Sequence, residues 1–385
     1  MTEDRATAPA SDDPPTVPSK PLTCRCQSPA CGGMLPVLLI AMSCGGPELP
    51  VATRVGKGSP SPSQQPTMTE GGPRSVAAGT PLPEAKDPAE RIALVHEGSI
   101  WLMKPDGSGA MRSTSGGSVP DQTPALSPRG DRVAFSSVVD GASRIYLVSL
   151  DSLAVEPVTD GTGGGEVQPA WSPSGSSIAF MRGREGERRD LFLLDNLEGN
   201  GQPRLLLEGS DDNPESVGWP AWAPNGKTIV LSADRRERLG TGLWQVTVDG
   251  SSLRRLTRPP MGLRWVRDLR PAFSPDGRQI AFASNRHASG ESGGGDLDVY
   301  VLATDTGQMT RLTHDPGVAD DPCYSPDSQR IYFTSTRDAA SQFSVEVFAM
   351  PAIGGEQRRL TKDAVPVNHG PSAGKVLVDI SSRSF

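Results

Sequence analysis

Cysteine, histidine and aromatic residues are all scarce: five cysteines, four histidines and 5% aromatics in 385 residues. The cysteines imply no disulfide framework in a folded domain. Cys24, Cys26 and Cys31 form CRCQSPAC, which has neither the CxxC spacing nor the fourth ligand of a structural zinc site, and Cys323 stands alone. His96, His287, His314 and His369 make no HxxxH pair, so neither a catalytic zinc nor any other cofactor is indicated. No apolar run approaches the roughly 18 residues of a membrane-crossing helix, which excludes a helical membrane bundle. Basic residues are outnumbered 45 to 38, for a net charge of −7, so nothing draws the chain generally to phosphate backbones and no nucleic-acid partner is expected. Glycine and proline, by contrast, are plentiful: 43 and 37 residues, near a fifth of the chain, as in a turn-rich β protein.

The first 90 residues are rich in Pro, Ser, Thr and Gly and cannot bury enough apolar area to offset chain entropy. One island, MLPVLLIAMSCGG from Met34 to Gly46, has the length of a signal-peptide apolar region and ends in small residues and Cys44. It resembles a bacterial lipoprotein signal. That resemblance implies that residues 1–44 direct export and that Cys44 is lipidated, giving an exported periplasmic or cell-envelope protein that meets the membrane only through its anchor. Residues 45–90 then form a disordered tether spanning on the order of 35 to 40 Å.

From residue 91 one pattern recurs: PALSPRGDRVAF at Pro124, PAWSPSGSSIAF at Pro169, PAWAPNGKTIVL at Pro220, PAFSPDGRQIAF at Pro271 and PCYSPDSQRIYF at Pro322. The second prolines, Pro128, Pro173, Pro224, Pro275 and Pro326, step by 45, 51, 51 and 51 residues, and a degraded copy places Pro371 another 45 along. A period of this length denotes stacked supersecondary units. Each unit reads as four short strands: an apolar strand before the SPDG-like turn, an alternating strand after it, a third such as RIYLV or DVYVL, and a fourth closing at Val158-Thr159, Leu256-Thr257, Leu312-Thr313 and Leu360-Thr361, with a weaker RLLLE, Arg204 to Glu208, in the second full unit. Four antiparallel strands per unit without an intervening helix predict β-propeller blades. Five units, plus a composite of residues 91–114 with the C-terminal VPVNHGPSAGKVLVDI, predict an all-β, six-bladed propeller over residues 91–385, closed by pairing of N- and C-terminal strands.

The P-x-W-S-P-D-G pattern resembles the WD40-like repeats of TolB-type propellers, and PAFSPDGRQIAFASNR, Pro271 to Arg286, is nearly a consensus copy. The resemblance covers residues 91 to about 383. It implies the fold more than the activity, since such propellers occur in the periplasmic Tol-Pal component, in lipoproteins and ahead of prolyl oligopeptidase-like hydrolase domains.

The repeats occupy everything from residue 91 onward, so these 385 residues leave no room for a hydrolase domain, and no enzyme is expected. Gly290-Glu291-Ser292-Gly293-Gly294 matches G-x-S-x-G but sits in a loop rather than between a strand and a helix. Ser284 to Arg286 and Ser335 to Arg337 recur with the repeat and read as blade-stabilising hydrogen-bond groups. The expected role is a monomeric interaction propeller with an envelope protein or peptide as partner; the alternative is a loop-built enzyme or carbohydrate-binding site at the channel mouth, with or without a divalent cation. Candidate partner-binding residues lie three before each first proline, at Asp121, Glu166 and Asp268, joined by Asp320, Asp321 and, in the degraded copy, His369. If first strands line a channel, these carboxylates are expected to converge on one mouth.

Overall fold

The computed structural model describes residues 90–361 except 117–118, 185–187, 200, 211–213, 215, 235–239, 261–262, 264, 288–295 and 338–344. Contacts divide the chain into Met1–Gln64 and Gln65–Phe385, and every described residue belongs to the second unit. The export region, Cys44, nearly all of the tether, the Gly290–Gly294 loop, His369 and the degraded repeat lie outside the described residues.

The strands run antiparallel within each repeat. The first sheet has three: β1 (Ile92–His96), β2 (Ser99–Met103) and β3 (Met111–Arg112). Two four-stranded sheets follow, β4 (Gln122–Leu126), β5 (Arg132–Val139), β6 (Ala142–Ser149) and β7 (Val155–Pro157), then β8 (Glu166–Trp171), β9 (Ile178–Gly183), β10 (Arg189–Leu194) and β11 (Pro203–Leu207). The next two repeats supply β12 (Ser216–Trp222), β13 (Thr228–Asp234), β14 (Gly240–Thr247) and β15 (Leu253–Arg255), then β16 (Val266–Phe273), β17 (Gln279–Ser284), β18 (Asp298–Ala303) and β19 (Met309–Arg311). These eight strands share one sheet, because β14 and β16 run parallel over Gly240↔Val266 and Thr241↔Arg267. The last sheet is β20 (Ala319–Tyr324), β21 (Arg330–Ser335), β22 (Glu346–Pro351) and β23 (Arg358–Arg359).

The protein is thus an all-β propeller of antiparallel four-stranded blades, but the expected count of six complete blades needs correction. Four sheets among the described residues have four or more strands, and one of these holds two repeats. The first sheet has three strands among the described residues, and the stretch expected to complete it, in residues 362–385, lies outside them.

The repeat motif explains each hairpin. In the turn between first and second strands the glycine takes a left-handed conformation, with φ of 68° at Gly130, 75° at Gly175, 67° at Gly226 and 74° at Gly277, where a Cβ would be strained. The serine ahead of the second proline holds the far side of the turn: Ser127, Ser172, Ser274 and Ser325 hydroxyls accept backbone N–H groups five residues on, as from Arg330 at 2.9 Å. Second and third strands then pair aromatic with aromatic: Phe135 stacks on Tyr146, Phe180 on Phe192, Phe282 on Tyr300 and Phe333 on Phe348, with centroids 5.7 to 5.9 Å apart.

Both faces of the middle strands are buried, so no sheet can cover its apolar residues alone. Hydrophobic clusters lie between neighbouring sheets instead; Trp171, for instance, packs with Ala134, Ile145 and Leu147 of the preceding sheet while its indole N–H donates to Ala125 O at 2.9 Å. Trp222 repeats the bond one unit later, to Ala170 O at 3.1 Å.

The last sheet packs back on the first. Ile92, Leu94 and Met103 share a cluster with Tyr332, Val347, Ala349 and Leu360. Gly107, at φ 88°, lies so close to the Leu360 carbonyl that no Cβ fits there. Glu90 clasps this seam: its carboxylate meets Arg330 at 2.6 Å and accepts the Tyr332 hydroxyl at 2.6 Å, all three residues being buried. Burial pushes the Glu90 carboxyl pKa up, against the opposing pull of Tyr332 and Arg330. Replacing Glu90 by Ala leaves the buried guanidinium with Asp327 at 3.9 Å as its remaining salt-bridge partner. Denaturant unfolding of Glu90→Ala is expected to show a loss of about 3 kcal/mol or more, the cost of stranding one member of a buried pair.

Candidate functional site at the first strands

The first strands lie side by side, β4 against β8, β8 against β12, β12 against β16 and β16 against β20. The position three before the first proline is buried in all five: Asp121 at 4%, Glu166 at 0%, Val217 at 2%, Asp268 at 1% and Ala319 at 2% exposure. Its acidic members serve the sheets. Asp121 accepts the Thr114 hydroxyl, Glu166 Oε1 meets Arg182 at 2.7 Å, and Asp268 takes Arg286 at 2.6 Å, Ser284 at 2.7 Å and the Thr257 hydroxyl. Glu166 Oε2 is buried and has no partner among the described residues.

Those contacts explain two motifs. Five units close on a threonine, after Leu at Thr257, Thr313 and Thr361, after Val158 at Thr159 and after Ser113 at Thr114, and its hydroxyl accepts a backbone N–H from Ile100, Ile145, Leu243, Val299 or Val347 at 2.9 to 3.0 Å. Where an arginine stands two residues earlier, as at Arg112, Arg255, Arg311 and Arg359, it donates to the threonine carbonyl. In the Ser-x-Arg motif, Ser284 and Arg286 both bond Asp268, while Arg337 reaches Asp315 at 2.7 Å.

The position that sequence reasoning passed over in every copy but the last, where Asp321 was a candidate, is the residue immediately before the first proline. In every copy the register with the second strand slips there, a β-bulge, and the residue adopts a left-handed conformation: Thr123, Gln168, Trp219, Arg270 and Asp321, with φ between 49° and 58°. Proline disfavours the right-handed helical region for the residue before it, and a bulge re-aims a side chain out of the alternation. Five non-glycine residues in this sparsely populated region are a store of strain of the kind found at binding sites.

These side chains touch in series. Gln168 N–H donates to Thr123 Oγ1 at 3.2 Å, and Trp219 N–H donates to Gln168 Oε1 at 2.8 Å. The Arg270 guanidinium lies 4.9 Å from the Trp219 ring centroid, and its Nε meets Asp321 at 2.9 Å while its Nη1 bonds Asp320. Asp320 and Asp321 are therefore brought together, on one arginine, whereas Asp121, Glu166 and Asp268 are held separately. The Arg270, Asp320 and Asp321 side chains remain 28%, 15% and 18% exposed. The series sets a hydroxyl, an amide, an indole, a guanidinium and carboxylates along the first strands, with Gln168 itself buried. Among the described residues no three His, Cys, Asp or Glu side chains gather as metal ligands do.

Residues 90–265 and 266–382 match the family model of the TolB beta propeller domain. The chain belongs to that family. TolB from Acinetobacter baumannii superposes with a TM-score of 0.59 at 21% identity, over 76% of this chain and 67% of that one, which supports the fold alone. Among curated relatives, a Bacillus subtilis protein named as an uncharacterized peptidase, YuxL, is 27% identical over 58% of this chain and 31% of its own length. Dipeptidyl-peptidase 5 of Porphyromonas gingivalis is 28% identical over 34% of this chain and 20% of its own. The chain thus spans a third or less of these two proteins. Their names overturn the expectation that the protein is no enzyme: that expectation rested on finding no catalytic domain beside the repeats, and repeats of this kind occur in proteins named as peptidases.

One titratable group of this TolB-family propeller is set by its packing. His287 stacks on Tyr300, with its Nε2 at 3.1 Å from Asp298, and burial lowers its pKa, opposed by Asp298 and reinforced by Arg311. An unfolded chain takes up this proton below about pH 6.5, before the folded protein does, so His287 costs stability as pH falls through that value. Melting measured from pH 7.5 to pH 5 is expected to fall less steeply for His287→Gln than for the wild type.

Proposed function

We propose that this propeller is a recognition module for an extended peptide or protein segment of the cell envelope, received across the bulged residues of its first strands. The observation that carries this reading is the contact series from Thr123 through Gln168, Trp219 and Arg270 to Asp321, presented from the same strained position of five repeats. Strain at one bulge is a local matter, but strain repeated five times on adjoining strands needs a common use. A peptide suits the series because it offers both backbone groups for the amide and hydroxyl members and side chains for the indole and charged members. The peptidase names of two relatives support peptides as the ligand class. They also favour a second reading, that the protein takes part in peptide hydrolysis, which release of product from a peptide panel checks.

Crosslinking in intact cells identifies the segment, and its affinity is then measured with the purified full chain. Trp219→Ala with Arg270→Ala is expected to weaken binding by about tenfold or more while melting changes little, as for anchors in a recognition surface. Unchanged binding in that variant counts against the reading.

The proposal includes export and a membrane tether through lipidated Cys44, supported by the apolar run Met34 to Ala41 and the small residues around the cysteine. Cells grown with a fatty-acid analogue are expected to label the wild-type protein, with the label lost in Cys44→Ser. Equal labelling of both removes the anchor.

A further inference from the structure

The ends of the sheets that carry the SPDG-like turns hold a second feature. Two clefts flank the Pro224–Asn225 turn, one of about 380 Å³ toward the preceding repeat and one of about 390 Å³ toward the following repeat. Each lies within the range of small-ligand sites, about 300 to 1,000 Å³. The clefts are equivalents by the repeat: Trp222 in one corresponds to Phe273 in the other, Ser177 to Thr228 and Arg204 to Arg254.

Neighbouring seams carry contacts between sheets at the equivalent places. At the next seam Tyr324 donates its hydroxyl to Gln279 at 3.1 Å, and Asp276 N–H reaches Ser328 Oγ at 3.3 Å. Between the β4–β7 and β8–β11 sheets, Glu198 pairs with Arg132 at 2.9 Å while Leu197 packs beside Trp171.

Their chemistry is amphipathic and charge-compensated. Each has a half-buried aromatic, Trp222 or Phe273, and each lining holds one guanidinium and one carboxylate: Arg204 meets Asp195 at 3.0 Å in the first, while in the second Arg254 donates to Gln245 Oε1 at 2.8 Å and Asp276 accepts the Ser274 hydroxyl at 2.6 Å. The remaining polar groups are hydroxyls and amides: Ser177 and Asn225 in one, Thr228, Thr304 and Gln245 in the other. An aromatic face for C–H bonds, planar groups that donate and accept in pairs, and no net charge together suit a polyhydroxylated ring. The geometry points to a neutral oligosaccharide as the ligand of these paired clefts, with sugar units on either side of the Pro224–Asn225 turn. This site is separate from the bulged residues proposed to take up peptide.

The test is calorimetric titration of the full chain with cellotriose, maltotriose and N-acetylchitotriose, each at millimolar concentration. At least one is expected to bind, with an affinity that changes by less than about twofold between low and high salt because no net charge is screened. Arg204→Ala combined with Arg254→Ala is expected to weaken it by about tenfold, as lost hydrogen bonds do, with melting unchanged. Trp222→Phe keeps a ring in place and reports independently: binding persists while the ligand-induced change in tryptophan fluorescence diminishes. The Trp219 and Arg270 variants leave saccharide binding intact. The inference is overturned if none of the three sugars binds, if the arginine exchanges leave binding unchanged, or if a peptide displaces the sugar from the clefts.

Discussion

A sheet that is apolar on both faces cannot stand alone in water, and every repeat of this chain makes such a sheet. Ile145 and Phe180 are as buried as residues can be, yet neither is covered by its own four strands alone; the next sheet supplies the cover. That requirement sets the order of assembly in space and leaves one problem, the outer faces of the first and last sheets. The chain solves it by bringing β1 and β2 against β21 and β22 and by clasping them through Glu90, Arg330 and Tyr332. Closure removes the last uncovered face, as ring architectures must.

Inside this frame the buried charges are fasteners. The carboxylate three before the first proline meets the threonine ending the preceding unit at Asp121, an arginine of the second strand at Glu166, and both a threonine and an arginine at Asp268. An isolated carboxylate at such depth is costly, and partners of opposite charge with added hydroxyl donors are what make it tolerable. The parallel contact between Gly240–Thr241 and Val266–Arg267 adds a backbone link at one seam, where glycine lets the chains come close.

The propeller was legible from the sequence because its signals are periodic and local: a proline-glycine turn, an alternating strand and a Leu-Thr ending fix hairpins without reference to the rest of the chain. The blade count was less so, since it depends on residues 362–385 and on a pairing between β14 and β16 that no repeat announces. The candidate residues divide for a related reason. Acidic side chains three before the proline share a chemistry and catch the eye, but strand alternation turns that position inward. The bulged position shares a backbone conformation and no chemistry at all, for its occupants are Thr, Gln, Trp, Arg and Asp. Its one signal was the proline after it, which marks a constrained residue.

Glu90 carries a mechanical consequence. It is both the first of the described residues and the one that clasps the closing seam. Among the described residues, a pull along the chain from that side meets the Arg330 and Tyr332 contacts before it reaches a backbone ladder. Under load the propeller has a defined point of yielding, and the ring would part at the seam where its last sheet meets its first.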